Sequence, residues 1–239
     1  MNVIILGPAG CGKSLLTKEF GEYLQKRDYS VRFVNLDPGC LSLSYQCDYD
    51  VRKQFTITEI MRDEGLGPGG AMTRAMEKLG EIKMPSYEED FTLIDTPGQL
   101  EVFAFHKSGP QVVSQFDNPI GIFILDASIG IEDLPAVYLY ALAARYRFWI
   151  DIVNIVNKVD LLDDLEVRKI GDYLLNPGAS KKEIEGTGVM SDIYLPVSEL
   201  LQKIVPAQRI PRISVKNRTG FDELFDIMHE IKCACGDLT

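Results

Sequence analysis

Lys13 and Ser14 close the run Gly7-Pro8-Ala9-Gly10-Cys11-Gly12-Lys13-Ser14, directly after the apolar residues Val3-Ile4-Ile5-Leu6. The spacing is G-x-x-x-x-G-K-[ST], set between a strand and a helix expected from about Leu15 to Lys26. Its glycines let the backbone curl until the N–H groups of Gly10, Cys11, Gly12, Lys13, Ser14 and Leu15 converge on an anion. The positive end of the helix adds to their pull. In such a P-loop Lys13 spans the β- and γ-phosphates of a nucleotide, which makes it a binding and a catalytic candidate. The Ser14 hydroxyl is placed to ligate magnesium.

Two further strand ends carry carboxylates. Phe91-Thr92-Leu93-Ile94 runs into Asp95-Thr96-Pro97-Gly98-Gln99, a D-x-x-G element. Asp95 is expected to hold the magnesium shell through water, and Gly98 to present its N–H to the γ-phosphate. Gln99 and Glu101 stand just beyond, where an attacking water could be oriented. The run Val31 to Leu36 ends in Asp37-Pro38-Gly39. Asp37 either contacts magnesium through water or orients and deprotonates the nucleophilic water, and both roles stay open.

The base is read by Asn157-Lys158-Val159-Asp160, which follows the apolar run Ile152 to Val156. In this N-K-x-D pattern the Asp160 carboxylate accepts from the ring N–H and exocyclic amine of guanine. Adenine would turn a lone pair toward it. Each charge-assisted bond left unmade costs roughly 1.5–3 kcal/mol, so GTP rather than ATP is the expected substrate, with GDP as product. The stem of Lys158 is expected to lie along the base. Ser214-Val215-Lys216 resembles an S-A-K loop, whose backbone N–H at Val215 would reach guanine O6.

The elements that must position these groups are short, nearly continuous apolar runs, at 3–6, 31–36, 91–94, 120–125 and 152–156, separated by helical stretches. Strands buried on both faces read this way. They predict an α/β fold of the P-loop NTPase type, with a mostly parallel sheet, helices on both faces and helical insertions. Ligands in such sheets sit at the carboxyl ends of strands, where every motif above falls. One domain is expected over 1–239. It carries a helical hairpin at about 56–84 and a helical insertion at about 163–208, the latter a possible docking surface for a protein partner.

The hairpin is marked by Thr56-Ile57-Thr58-Glu59, a capping-box spacing, and by Gly65 as a left-handed stop. Met72, Ala75, Met76, Leu79 and Ile82 form the face of its second helix. Between the two lies GLGPGG (65–70), a thin, stiff tip. In the insertion, a helix over Asp163–Leu175 should stop at Asn176-Pro177-Gly178. Met190, Ile193 and Tyr194 start a second face, and Pro196 should begin a helix through Val205 carrying Val197, Leu200, Leu201 and Ile204.

Composition narrows the class. The 239 residues are 46% hydrophobic and carry a net charge of −10, which argues against direct nucleic-acid binding. No apolar run reaches the roughly 18–20 residues of a membrane span, and no signal peptide is expected. Five cysteines, odd in number and not spaced for zinc, fit a reducing cytoplasm. Cys233 and Cys235 read as free thiols, and His106 and His229 as structural.

Taken together, GPAGCGKS, NLDPG, DTPGQLE and NKVD, with GLGPGG between the second and third, resemble the GPN-loop GTPases, and their archaeal members in particular. The likeness spans residues 7 to 160 and extends through Ser-Val-Lys to 216. It implies a magnesium-dependent GTPase acting as a homodimeric switch, with a link to the assembly of protein complexes. A loop at Gly67-Pro68-Gly69 would reach into the partner's site. The family's asparagine there is replaced by Gly69, so a trans contact would have to use backbone or shape. Two rival readings stay open: a GTP-binding scaffold or assembly chaperone with negligible turnover, and a P-loop phosphotransferase.

Overall fold

The computed structural model describes residues 1–130, 133–175 and 209–236, together with 193, 196, 197, 199–201 and 203. Five apolar runs form strands β1 (Asn2–Leu6), β2 (Val31–Asn35), β4 (Phe91–Asp95), β5 (Ile120–Asp126) and β6 (Asp151–Asn157). A two-residue strand, β3 (Tyr49–Asp50), was not evident in the residue pattern. All six pair in parallel, in the order β3-β2-β4-β1-β5-β6.

Alternation along each strand splits the apolar residues between two cores. Val3 and Ile5 of β1 face Phe20 and Leu24 of α1 (Lys13–Gln25), and Phe221 and Leu224 of the C-terminal helix. Ile4 and Leu6 face the opposite core, with α2 (Ile57–Glu64), α3 (Pro68–Glu81), α4 (Leu100–Phe105), α5 (Ser108–Val113) and α6 (Leu134–Phe148). The helices on both faces leave Val3–Leu6 of β1 wholly apolar, because neither side of that stretch meets water.

The hairpin begins as its residues dictate. The Thr56 hydroxyl accepts from Glu59 N and the Glu59 carboxylate accepts from Thr56 N, and Gly65 ends α2 at φ 66°. Its tip is shorter than the composition suggested. Pro68 is the first residue of α3, where its missing N–H costs nothing, so Gly69 and Gly70 belong to the first helical turn. A Cβ added at Gly67 or Gly69 would meet nothing within 4 Å. The base of the hairpin is tied to the loop after β2, because Ile57 N donates to Pro38 O at 3.0 Å.

In the insertion, α7 (Asp164–Leu175) is helical, Leu201 is buried in the same core as α2–α6, Val197 packs against that core, and Leu200 stays half exposed. Asn176-Pro177-Gly178, Met190, Tyr194, Ile204 and Val205 lie outside the described residues. Helix α8 (Phe221–Gly236) closes the chain and includes the backbone of Cys233 and Cys235. Trp149 ends α6 in the left-handed region at φ 58°, a conformation costing an L-residue roughly 1–2 kcal/mol. Its ring is 84% exposed.

Candidate nucleotide site

β1 delivers the chain into the phosphate loop, and α1 begins at Lys13. Gly12 sits at φ +105°, and a Cβ there would fall 2.7 Å from Asn157 Nδ2. The loop is thus pressed against the end of β6: Asn157 Nδ2 donates to Cys11 O at 2.9 Å. Lys13 is buried, and its Nζ donates to the carbonyls of Gly7 (2.7 Å), Pro8 (3.1 Å) and Gly98 (3.1 Å). The ammonium is therefore held between the first and fourth strand ends. Burial pushes the Cys11 thiol up to about 11, so this side chain acts as packing and leaves the chemistry to the backbone N–H.

β2 and β4 are neighbours, with Asn35 in register with Asp95, so Asp37 emerges beside Asp95. The Asp37 carboxylate accepts from Gly39 N (2.8 Å) and Gly98 N (2.9 Å). Burial nevertheless raises its pKa above the usual carboxylate range. The N–H expected to face the γ-phosphate is thus on Asp37, and a phosphate oxygen would have to take it over. Asn35, fully buried, fixes the backbone of Asp37, since its Oδ1 accepts from Asp37 N at 3.1 Å. Asn35 is in turn held by Asp50, and Asp50 by Arg52, whose Nη1 also donates to Cys40 O.

Asp95 is 1% exposed, and burial pushes its carboxyl up to about 6 against the pull of the neighbouring Ser14 and Tyr45 hydroxyls. Tyr45 Oη donates to Oδ2 at 3.0 Å. Burial beside that carboxylate raises the Tyr45 hydroxyl, which keeps it a donor. Oδ1 is buried with no hydrogen-bond partner. A serine hydroxyl beside an unpaired carboxylate oxygen is an all-oxygen donor set, which suits magnesium. Gln99 is exposed as the residue that opens α4, and Glu101, also exposed, accepts from Tyr140 Oη at 3.3 Å. Neither is hydrogen-bonded to Asp37 or Lys13 in this arrangement.

At the other end of the edge, Asp160 Oδ1 accepts from Ser214 Oγ at 2.5 Å. The Ser-Val-Lys loop and the N-K-x-D loop therefore meet, although 54 residues apart. Val215 N, expected to face the base, donates to Asn157 Oδ1 at 3.1 Å. Lys158 sits at φ +68°, and its Nζ donates to Asp126 Oδ2 at 2.6 Å, stretching its stem across the edge between β5 and β6. Asp126, Tyr45 and the Asn35–Asp50–Arg52 chain escaped the motif reading. Asp126 had a signal: like Asn35, Asp95 and Asn157, it is a polar residue ending an apolar strand.

A family model described as a conserved hypothetical ATP binding protein matches residues 5–234. The GPN-loop GTPase PAB0955 of Pyrococcus abyssi is 36% identical over the whole of both chains. This chain belongs to the GPN-loop GTPase family. GPN-loop GTPase 3 of Danio rerio is 31% identical over 95% of this chain and 85% of its own. The crystal structure of PAB0955, a GTPase in apo form, superposes with a TM-score of 0.86 over 98% of each chain, at 34% identity. The family relation makes the chain a GTP hydrolase of the P-loop class, with GTP and GDP as its nucleotides.

Proposed function

We propose that the chain hydrolyses GTP to GDP and phosphate with magnesium, as a homodimeric switch in the cytoplasm whose output is the assembly of other protein complexes. One observation carries the reading. The base-reading carboxylate Asp160, the phosphate lysine Lys13 and the carboxylates Asp37 and Asp95 lie at one sheet edge. Gly98 bonds both Lys13 and Asp37, and Asn157 bonds Cys11 O of the phosphate loop and Val215 N, next to the Ser214 that holds Asp160. Guanine is favoured over adenine by Asp160, whose free oxygen lone pairs need N–H donors on the base, in contrast to the ATP in the name of the matching family model.

Ser14 and Asp95 would hold magnesium, with Asp37 in its outer shell or on the attacking water; the ion, when bound, neutralises phosphate charge. Lys13 would cross the β- and γ-phosphates. Asp37, raised by burial, suits acceptance of a proton from water. Gln99 and Glu101 would complete the site by moving with α4.

The dimer is supported by the hairpin tip. Gly67, Pro68 and Gly69 are exposed, and among the described residues no atom lies within 4 Å of a Cβ added at 67 or 69. A close approach by a second copy would use that freedom. The half-exposed Ile193 and Leu200 and the exposed Leu165 support a protein partner on the insertion. The free thiols Cys11, Cys40 and Cys47 fit the cytoplasm. The assembly role rests on the family resemblance alone. Gly69 also favours the scaffold reading, in which turnover is negligible because the trans side chain is missing.

The test is GTP hydrolysis per protomer from micromolar to low nanomolar chain, with ATP as control. A rate that falls on dilution and is confined to GTP supports the dimeric switch. A constant GTP rate in a chain that sedimentation shows to be monomeric overturns the dimer. Turnover with neither nucleotide favours the scaffold.

A further inference from the structure

Tyr45 lies between β2 and β3, in the segment that carries Asp37. Its ring is half-buried in the α1-side core and packs near Phe33, with centroids 5.6 Å apart. Its hydroxyl reaches Asp95 Oδ2 at 3.0 Å, the only hydrogen bond that the structure gives that hydroxyl among the described residues. A carboxylate turns freely about its last torsion unless an oxygen is held. Here one oxygen is held by Tyr45 and the other, Oδ1, is buried and unpaired.

We infer that Tyr45 is a positioning residue for the divalent-cation site, fixing Asp95 so that Oδ1 is the oxygen left for the cation's shell. The inference rests on the magnesium site proposed above. Its physical logic is that of outer-shell partners of metal ligands, whose removal typically weakens metal binding about 10–100-fold. The ring serves packing, so Tyr45→Phe removes the hydroxyl and leaves the fold its aromatic group. The same contact also links the segment bearing Asp37 to the carboxylate of β4.

The experiment titrates a fluorescent GDP analogue into the full chain at stepped magnesium concentrations and in EDTA. For wild type, affinity is expected to rise with magnesium to a clear midpoint. In Tyr45→Phe that midpoint moves about tenfold higher, while affinity in EDTA stays within about twofold of wild type. Phe33→Leu disturbs the same ring packing without touching the hydroxyl, and should leave the midpoint in place. An unmoved midpoint in Tyr45→Phe overturns the inference and spares the magnesium site. An equal shift in Phe33→Leu also overturns it, by assigning the effect to packing. Wild-type affinity that ignores magnesium overturns both readings.

Discussion

Asp37 Oδ2 accepts the backbone N–H of Gly98 at 2.9 Å, joining the loops that follow β2 and β4. The carbonyl of the same glycine takes Lys13 Nζ at 3.1 Å. One glycine thus has a carboxylate on its N–H and an ammonium on its carbonyl. A γ-phosphate that claims the N–H must displace a group of its own charge sign, whereas GDP, lacking that phosphate, leaves the pair alone. Asp37→Ala is therefore expected to slow single-turnover GTP hydrolysis about 100-fold or more. GDP affinity should stay within about threefold. Rapid-quench assays and equilibrium titration with a fluorescent GDP separate the two.

Asp160 keeps an oxygen for the base while Ser214 holds the other. Asp160→Asn swaps an acceptor for a donor and should cost GTP binding roughly a hundredfold or more, with preference passing to XTP. Competition binding with GTP, XTP and ATP measures this, and retained preference for GTP would sink the base assignment.

The Asn35–Asp50–Arg52 chain predicts a pH effect. Burial alone would raise the Asp50 carboxyl, but hydrogen bonds from Arg52 and Asn35 hold it down at about 2. A folded pKa below the unfolded one stabilises the fold above the unfolded value of 3.8, and this contribution is lost as pH falls toward 2. It amounts to ~2 kcal/mol. Asp50→Asn should lose a similar ~2 kcal/mol at pH 7, by leaving Arg52 short of its partner. It should also flatten the acid limb of the urea midpoint between pH 4 and pH 2, where wild type keeps its slope.

Gly69→Asn places an amide where a Cβ meets open space, in a helical turn with no positive φ to strain. Thermal midpoint should stay within about 2 °C. Hydrolysis per protomer should rise at micromolar chain and lose that gain on dilution. No rise, with GTP affinity intact, would remove the missing asparagine as the limit on rate.

Local chemistry explains what was legible. The phosphate loop, D-x-x-G and N-K-x-D each follow an apolar run, and a parallel sheet brings all such ends to one edge. The capping box at Thr56 and the stop at Gly65 depend only on neighbours in sequence, and both are present. Sheet order was not readable, so contacts that depend on it were hidden. Tyr45 meets Asp95 only because β2 lies beside β4, and Lys158 meets Asp126 only because β5 lies beside β6. The hairpin tip differs from its composition for another reason: a Pro/Gly-rich stretch reads as loop, but proline is favoured at a helix start and here carries the two following glycines into the first turn.

Trp149 gives the chain a built-in optical probe. It is the single tryptophan, 84% exposed, and it precedes β6, whose other end carries Asn157. Seven extended residues put about 20 Å between the indole and the edge that reads the nucleotide. Its emission should therefore stay nearly constant as nucleotide binds. A blue shift would signal that some other surface has covered this far edge, so intrinsic fluorescence separates association from ligand binding in one cuvette.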